Sequence, residues 1–152
     1  MKSPPNPRRW VGPGVALLAL GGVFLSTYLA LYHYGYIGSL ACGTGGCEKV
    51  QGSNWAKFLG VPVAVWGVLF YGGVFVLAVS SSIAAPLVAA AWPSTALVAM
   101  NGVGVAFSGY LTYAEIAWIE AICRYCVVSA CLVAVLLVVS ELDRRDYRRV
   151  AK

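Results

Sequence analysis

Charge is what this 152-residue sequence has least of: 11% of its residues are Asp, Glu, Lys or Arg, against roughly 25% in soluble domains. That scarcity excludes a soluble globular chain. With 60% hydrophobic residues and a mean hydropathy of +0.77, it leaves an integral membrane protein. A span takes about 20 apolar residues, so the length holds four helices with short loops and no separate soluble domain. Acidic residues number six against eleven basic ones, yet the excess is not spread as nucleic-acid binding would require. Lys2, Arg8 and Arg9 precede the first apolar run, and Arg144, Arg145, Arg148, Arg149 and Lys152 follow the last. The positive-inside rule then places both termini in the cytoplasm and demands an even number of spans. The stretch between the two middle spans has no Lys or Arg, so the orientation rests on the termini. Histidine is nearly missing as well: His33 stands alone at the outer end of the first span and reads as an interfacial residue. A haem attachment site is excluded because Val127, not His, follows Cys126. The first apolar run lacks a small-residue cleavage site and outlasts a signal-peptide core, so it reads as a retained helix.

Taken in order, residues 1–12 form a Pro-rich basic cytoplasmic tail that ends near Trp10, an interfacial anchor. A membrane domain follows at 13–142, with spans expected at 14–34, 62–79, 94–114 and 123–142. Tyr28, Tyr32, Tyr34 and Tyr36 make an aromatic belt at the outer end of the first span. The outer loop, about 35–60, carries Cys42-Gly-Thr-Gly-Gly-Cys47, whose glycines allow a bend that lets the sulfurs meet or separate. Residues 48–58 mix charges with Val50, Trp55 and Phe58 and read as a short amphipathic piece on the bilayer surface. Pro62 suits the first turn of the second span, which ends at Ser80-Ser81-Ser82. Residues 83–93, with Pro86 and Pro93, make the cytoplasmic turn. Gly102, Gly104, Ser108 and Gly109 would let the third span approach its neighbours closely. Residues 115–122 return the chain on the outer side, and 143–152 form a basic cytoplasmic tail. No long-period repeat is present.

The chemistry lies in the cysteines. Cys123-Arg-Tyr-Cys126 opens the last span, and residues at i and i+3 share a helix face and can close a disulfide. A thiolate at a helix N-terminus is stabilised and reactive. With an even number of spans, Cys42 and Cys47 fall on the same side as this pair. Two pairs within reach can pass electrons in series by thiol–disulfide exchange. A redox pair at the membrane surface can pass them on to a lipid-soluble carrier. The competing readings are two structural disulfides in a non-enzymatic membrane scaffold, or a four-cysteine zinc site. A disulfide across two intervening residues restrains little chain entropy, and zinc would give the CxxC no reason to enter a membrane helix. Cys131 lies five helical steps past Cys126, some 140° round the helix, and is expected to pack as a core residue.

These features together resemble the vitamin K epoxide reductase family, in its bacterial, single-domain form. The resemblance is carried by Cys42 and Cys47 in the first outer loop, Ser53 and Trp55 after them, Gly60-Val61-Pro62, and Cys123-x-x-Cys126 at the start of the last span. It implies an all-α four-helix membrane bundle whose amphipathic loop segment caps a quinone pocket. It implies that Cys126 delivers electrons to the quinone (menaquinone or ubiquinone), with no metal. Cys123 would be the disulfide partner of Cys126 and the atom that Cys47 attacks. Cys42 would exchange with a separate, extracytoplasmic thioredoxin-fold protein of the DsbA-like kind. Ser53 and Trp55 would support the site. Tyr110, Tyr113, Trp66 and Tyr125 are the candidate quinone contacts, as donors and stacking rings. Vertebrate members carry an asparagine in span two and a tyrosine after the CxxC. Val63 and Ala130 stand at those positions, which implies simple quinone reduction instead of epoxide chemistry. DsbB-like proteins do a comparable task but place a CxxC in the first loop, unlike the Cys-x4-Cys found here. The location implied is the inner (cytoplasmic) membrane, with all four of these cysteines outside.

Overall fold

A computed structural model of the chain describes residues 8–43, 46–84 and 92–150. Lys2 and the prolines of the N-terminal tail, Thr44 and Gly45 of the loop, residues 85–91 of the expected turn, and Lys152 lie outside the described residues. So do the side chains of Trp10, Arg148 and Arg149. Five α-helices are described: α1 Arg8–His33, α2 Gly46–Gly52, α3 Val63–Ala84, α4 Trp92–Ala114 and α5 Arg124–Val150. All but α2 contain a stretch long and apolar enough to cross a membrane. Long helices bond their backbone groups internally, which the hydrocarbon of a bilayer requires.

Each end has a local cause. Helix α1 stops where Gly35, at φ 79°, accommodates a left-handed turn. The amide of Tyr36 donates to the Leu31 carbonyl and that of Gly35 to the Tyr32 carbonyl, both at 3.0 Å, which closes a Schellman motif. Helix α3 runs on through the serine triplet to Ala84, with the Ser81 and Ser82 hydroxyls satisfied on the Ala78 carbonyl, each at 2.8 Å. Helix α5 continues past residue 142 to Val150, with Glu141 paired to Arg144 and Arg145 one turn on.

Between α2 and α3 the chain makes a 3-10 turn at Asn54–Ala56 and a small antiparallel hairpin of β1 Lys57–Phe58 and β2 Val61–Pro62. Its two turn residues, Leu59 and Gly60, both have positive φ (54° and 79°), as a type I′ hairpin turn requires. The amphipathic segment expected at 48–58 is thus three short pieces.

Two buried clusters hold the bundle. The first joins α1, α3, α4 and α5 through Val15, Ala19, Tyr71, Val74, Leu97 and Leu136. Close approach of α1 and α3 depends on small residues: a Cβ on Gly67 would lie 2.6 Å from the Ser26 hydroxyl. Of the glycines expected to serve α4, Gly104 does so, since a Cβ there would meet Phe70 and Val133; Gly102 and Gly109 face open space. The second cluster lies at the end where α1 and α4 finish and α3 and α5 begin. It contains Leu29, Leu40, Cys42, Cys47, Val50 and Cys123.

Candidate active site

The loop cysteines are brought to the CxxC by close backbone packing. Cys42 and Cys47 form a disulfide with Cα atoms 6.0 Å apart. Cys47 lies in the first turn of α2, and the preceding Gly46 sits directly on the backbone before the CxxC. A Cβ at Gly46 would fall 2.6 Å from the Ile122 carbonyl oxygen, so only glycine lets α2 come this near. On the other flank, the Tyr125 hydroxyl donates to the Ala41 carbonyl at 3.3 Å, and the Ala41 amide donates to the Tyr28 hydroxyl at 3.5 Å. The rings of Tyr28 and Tyr125 lie 5.5 Å apart. Cys42, Cys47 and Cys123 are all buried in the same cluster, and Cys126 packs against it.

Cys123 and Cys126 are free thiols in this structure. Cys123 sits at the mouth of α5, its carbonyl accepting the Val127 amide at 3.1 Å. A hydrogen bond from the Cys126 side chain pulls the Cys123 thiol down from its ordinary 9 to about 7; burial opposes this, and the backbone amides of Cys126 and Tyr125 assist it. The first turn of α5 is thus built to hold sulfur as thiolate.

Below the CxxC lies a cavity of about 320 Å³ between α3, α4 and α5. Cys126 forms part of its wall, and its walls are largely apolar, with Trp55, Phe58, Trp66, Phe70 and Phe107 contributing rings. This size and character suit a flat, apolar small molecule. Polar groups are few. Tyr71 is 2% exposed, and its hydroxyl bonds to the Ser129 carbonyl and hydroxyl at 3.0 and 2.8 Å, one turn below Cys126. Gln51 and Ser26 also reach the wall. The segment after α2 covers the outer side. Trp55 stacks on Trp118 with centroids 4.4 Å apart, and Phe58 meets Trp66 and Phe107 edge-on.

The residues singled out from sequence fall into distinct places. Trp55 and Trp66 line the cavity, although the Trp66 ring N–H is already given to the Phe58 carbonyl at 3.2 Å. Tyr110, Tyr113 and Tyr125 stand outside the wall: Tyr110 packs edge-on against Trp55, Tyr113 against Trp118, and Tyr125 holds the loop. The Ser53 hydroxyl donates to the Val50 carbonyl at 2.7 Å and so finishes α2. Cys131 is exposed, which corrects the expectation of a core position. Cys126 faces the cavity, and 140° of rotation carries Cys131 out of the bundle, onto a surface that a bilayer keeps apolar. Val63 lines the cavity. Among the described residues, no group of three or more His, Cys, Asp or Glu could hold a metal ion.

Sequence reasoning missed Tyr71, Trp118 and Glu115. Glu115 is 3% exposed, and its carboxylate Oε2 accepts the Cys123 amide at 3.0 Å. A signal for it existed: an acid is rare in this chain and rarer beside an apolar span, where it marks function by default. A family model described as the vitamin K epoxide reductase family matches residues 14–140.

Proposed function

The chain belongs to the vitamin K epoxide reductase family, and from that premise we propose that it oxidises thiols outside the cytoplasmic membrane at the expense of a quinone. The electrons enter from a separate thioredoxin-fold protein of the DsbA-like kind. They pass from Cys42/Cys47 to Cys123/Cys126 and leave from Cys126. One observation carries this reading: an oxidised loop pair shares a buried cluster with the reduced CxxC, whose inner cysteine faces an apolar cavity.

In each cycle, the partner's dithiol reduces the Cys42–Cys47 disulfide and leaves as a disulfide. The Cys47 thiolate then attacks Cys123 in a Cys123–Cys126 disulfide, and Cys42 resolves the mixed disulfide, restoring the loop bond. The described state, with the loop pair joined and the CxxC reduced, corresponds to electrons already moved inward. Cys42 is 1% exposed here, so a partner reaches it only by displacing the loop next to Gly43. The acceptor is a substrate that would sit against Cys126 with Trp55 and Phe58 excluding water. Two electrons and two protons turn it to quinol as Cys123 and Cys126 join. Quinone, not an epoxide, is the proposed acceptor because Val63 offers no hydrogen-bond donor where vertebrate members have an amide.

The test is quinone reduction by the purified protein with a reduced thioredoxin-fold partner. Wild type should turn over, and Cys126→Ala should be inactive with any donor. Cys47→Ala should be inactive with the partner and active with a small dithiol. Equal activity of all three, or none in wild type, would make the disulfide structural and return the scaffold reading.

A further inference from the structure

Among the described residues, the cavity wall carries a single carboxyl group, Glu115, and no Lys, Arg or His. A buried acid in an apolar bundle is costly unless its polar atoms are used. Both ends of Glu115 are. Its own carbonyl accepts the amides of Glu120 and Ala121, locking a π-helical turn, Glu115–Ile119, between α4 and α5. Such single π-turns recur at functional sites. Its carboxylate takes the Cys123 amide on Oε2, and Glu115 and Cys126 line the same cavity. A cap for α5 alone could be supplied by Ser, Thr or Asn. A carboxylate adds a second oxygen, on a residue that shares the cavity wall with Cys126.

Building on the quinone-reducing reading above, we propose that Glu115 is the proton-transfer residue of the Cys126 step. It takes the Cys126 proton, leaving a thiolate. The Cys123–Cys126 bond then forms, two electrons pass to the quinone, and Glu115 gives its proton to one quinone oxygen. The second proton comes from solvent, to which Cys123 has already released its own. Two thiols and one quinone become one disulfide and one quinol, and Glu115 ends as it began. The titratable groups that face Glu115 are Cys123, just before α5, Cys126 on α5 and, across the cavity, Tyr71 from α3. Helix α2 offers the neutral Gln51 to the wall, while its Glu48 and Lys49 are exposed. The final turn of α4 contributes neutral Thr112.

The experiment uses the full chain, with a small dithiol as donor so that no partner is needed. Quinone reduction is measured for wild type, Glu115→Gln and Glu115→Asp. Alkylation of Cys126 in the reduced, quinone-free proteins is followed by mass spectrometry. Glu115→Gln should lower kcat at least tenfold with KM within twofold, while Cys126 alkylates at least as fast as in wild type, since a neighbouring negative charge is gone. A Glu115→Gln rate within twofold of wild type overturns the proposal. So does Cys126 alkylation that falls in step with kcat, because that marks a structural prop. Should Glu115→Gln not fold, Glu115→Asp decides: a loss smaller than tenfold with the wild-type pH profile is expected, and complete loss in a folded protein overturns the proposal. A wild type that reduces no quinone overturns the underlying reading and this proposal with it. An active wild type beside an equally active Glu115→Gln overturns this proposal alone.

Discussion

Cys123 is flanked by the thiol of Cys126 and by the amides of the first turn of α5, and these donors favour its sulfur as an anion. A thiol at about 7 instead of 9 is a thiol below that pH and a thiolate above it, so its nucleophilic fraction grows about tenfold per pH unit up to 7 and then levels. The measurement is thiolate absorbance near 240 nm against pH, with Cys123→Ser as the blank. The midpoint should lie near 7 in the reduced protein. In Cys126→Ala, which removes the largest of the causes, it should climb toward 9. A midpoint unmoved by that substitution would show that the helix terminus alone sets the value. At this scale the sequence pointed to the cysteines, because nearness along the chain allows the sulfurs of each pair to meet, as those of Cys42 and Cys47 do. It was least informative about Glu115 and Tyr71. Their roles depend on a π-turn and on a cross-bundle contact to Ser129, and neither leaves a local pattern. The aromatic candidates show the same limit: of Tyr110, Tyr113, Trp66 and Tyr125, only Trp66 reaches the wall.

Among the elements, α2 decides whether the two pairs can communicate. Its approach to the CxxC is limited by Gly46, so Gly46→Ala must push α2 off the Ile122 carbonyl. The expected outcome is at least a tenfold slower rate with a protein donor and little change with a small dithiol that reduces the CxxC directly. A rate loss shared by both donors would point instead to general damage. The hairpin beside it carries a different kind of tension. Leu59 has φ 54° and is 78% exposed, a left-handed conformation that costs a side chain with Cβ about 1 kcal/mol or more. Asparagine tolerates it, so Leu59→Asn should stabilise the protein by about 1 kcal/mol in detergent, read from thermal unfolding. The hairpin itself was not legible beforehand, because its two-residue strands are too short for alternation to show. The long helices were legible for the opposite reason. Some twenty apolar residues are an unmistakable length, and only their ends needed coordinates to place: that of α1 at Gly35, that of α3 beyond the serine triplet and that of α5 beyond the Glu141–Arg144/Arg145 pairs.

For the molecule as a whole, the bundle has two unlike ends. One holds the cysteines, the cavity mouth and the exposed rings of Trp118, Tyr113 and Tyr36. The other receives the start of α1 and the end of α5, with the basic residues of both termini in sequence there. Four spans place those termini together, so one orientation satisfies both the positive-inside rule and the need of disulfide chemistry for an oxidising compartment. The opposite orientation fails both at once. A cysteine-free variant can report which holds. Ser39→Cys, in the exposed loop before Cys42, should react with a membrane-impermeant maleimide on intact cells. Arg145→Cys, near the far end of α5, should react only after the membrane is opened. The reversed pattern would put the cysteines in a reducing compartment. There the loop disulfide would not persist without an oxidant stronger than the glutathione pool, and a flow of electrons outward to inward would lose its source.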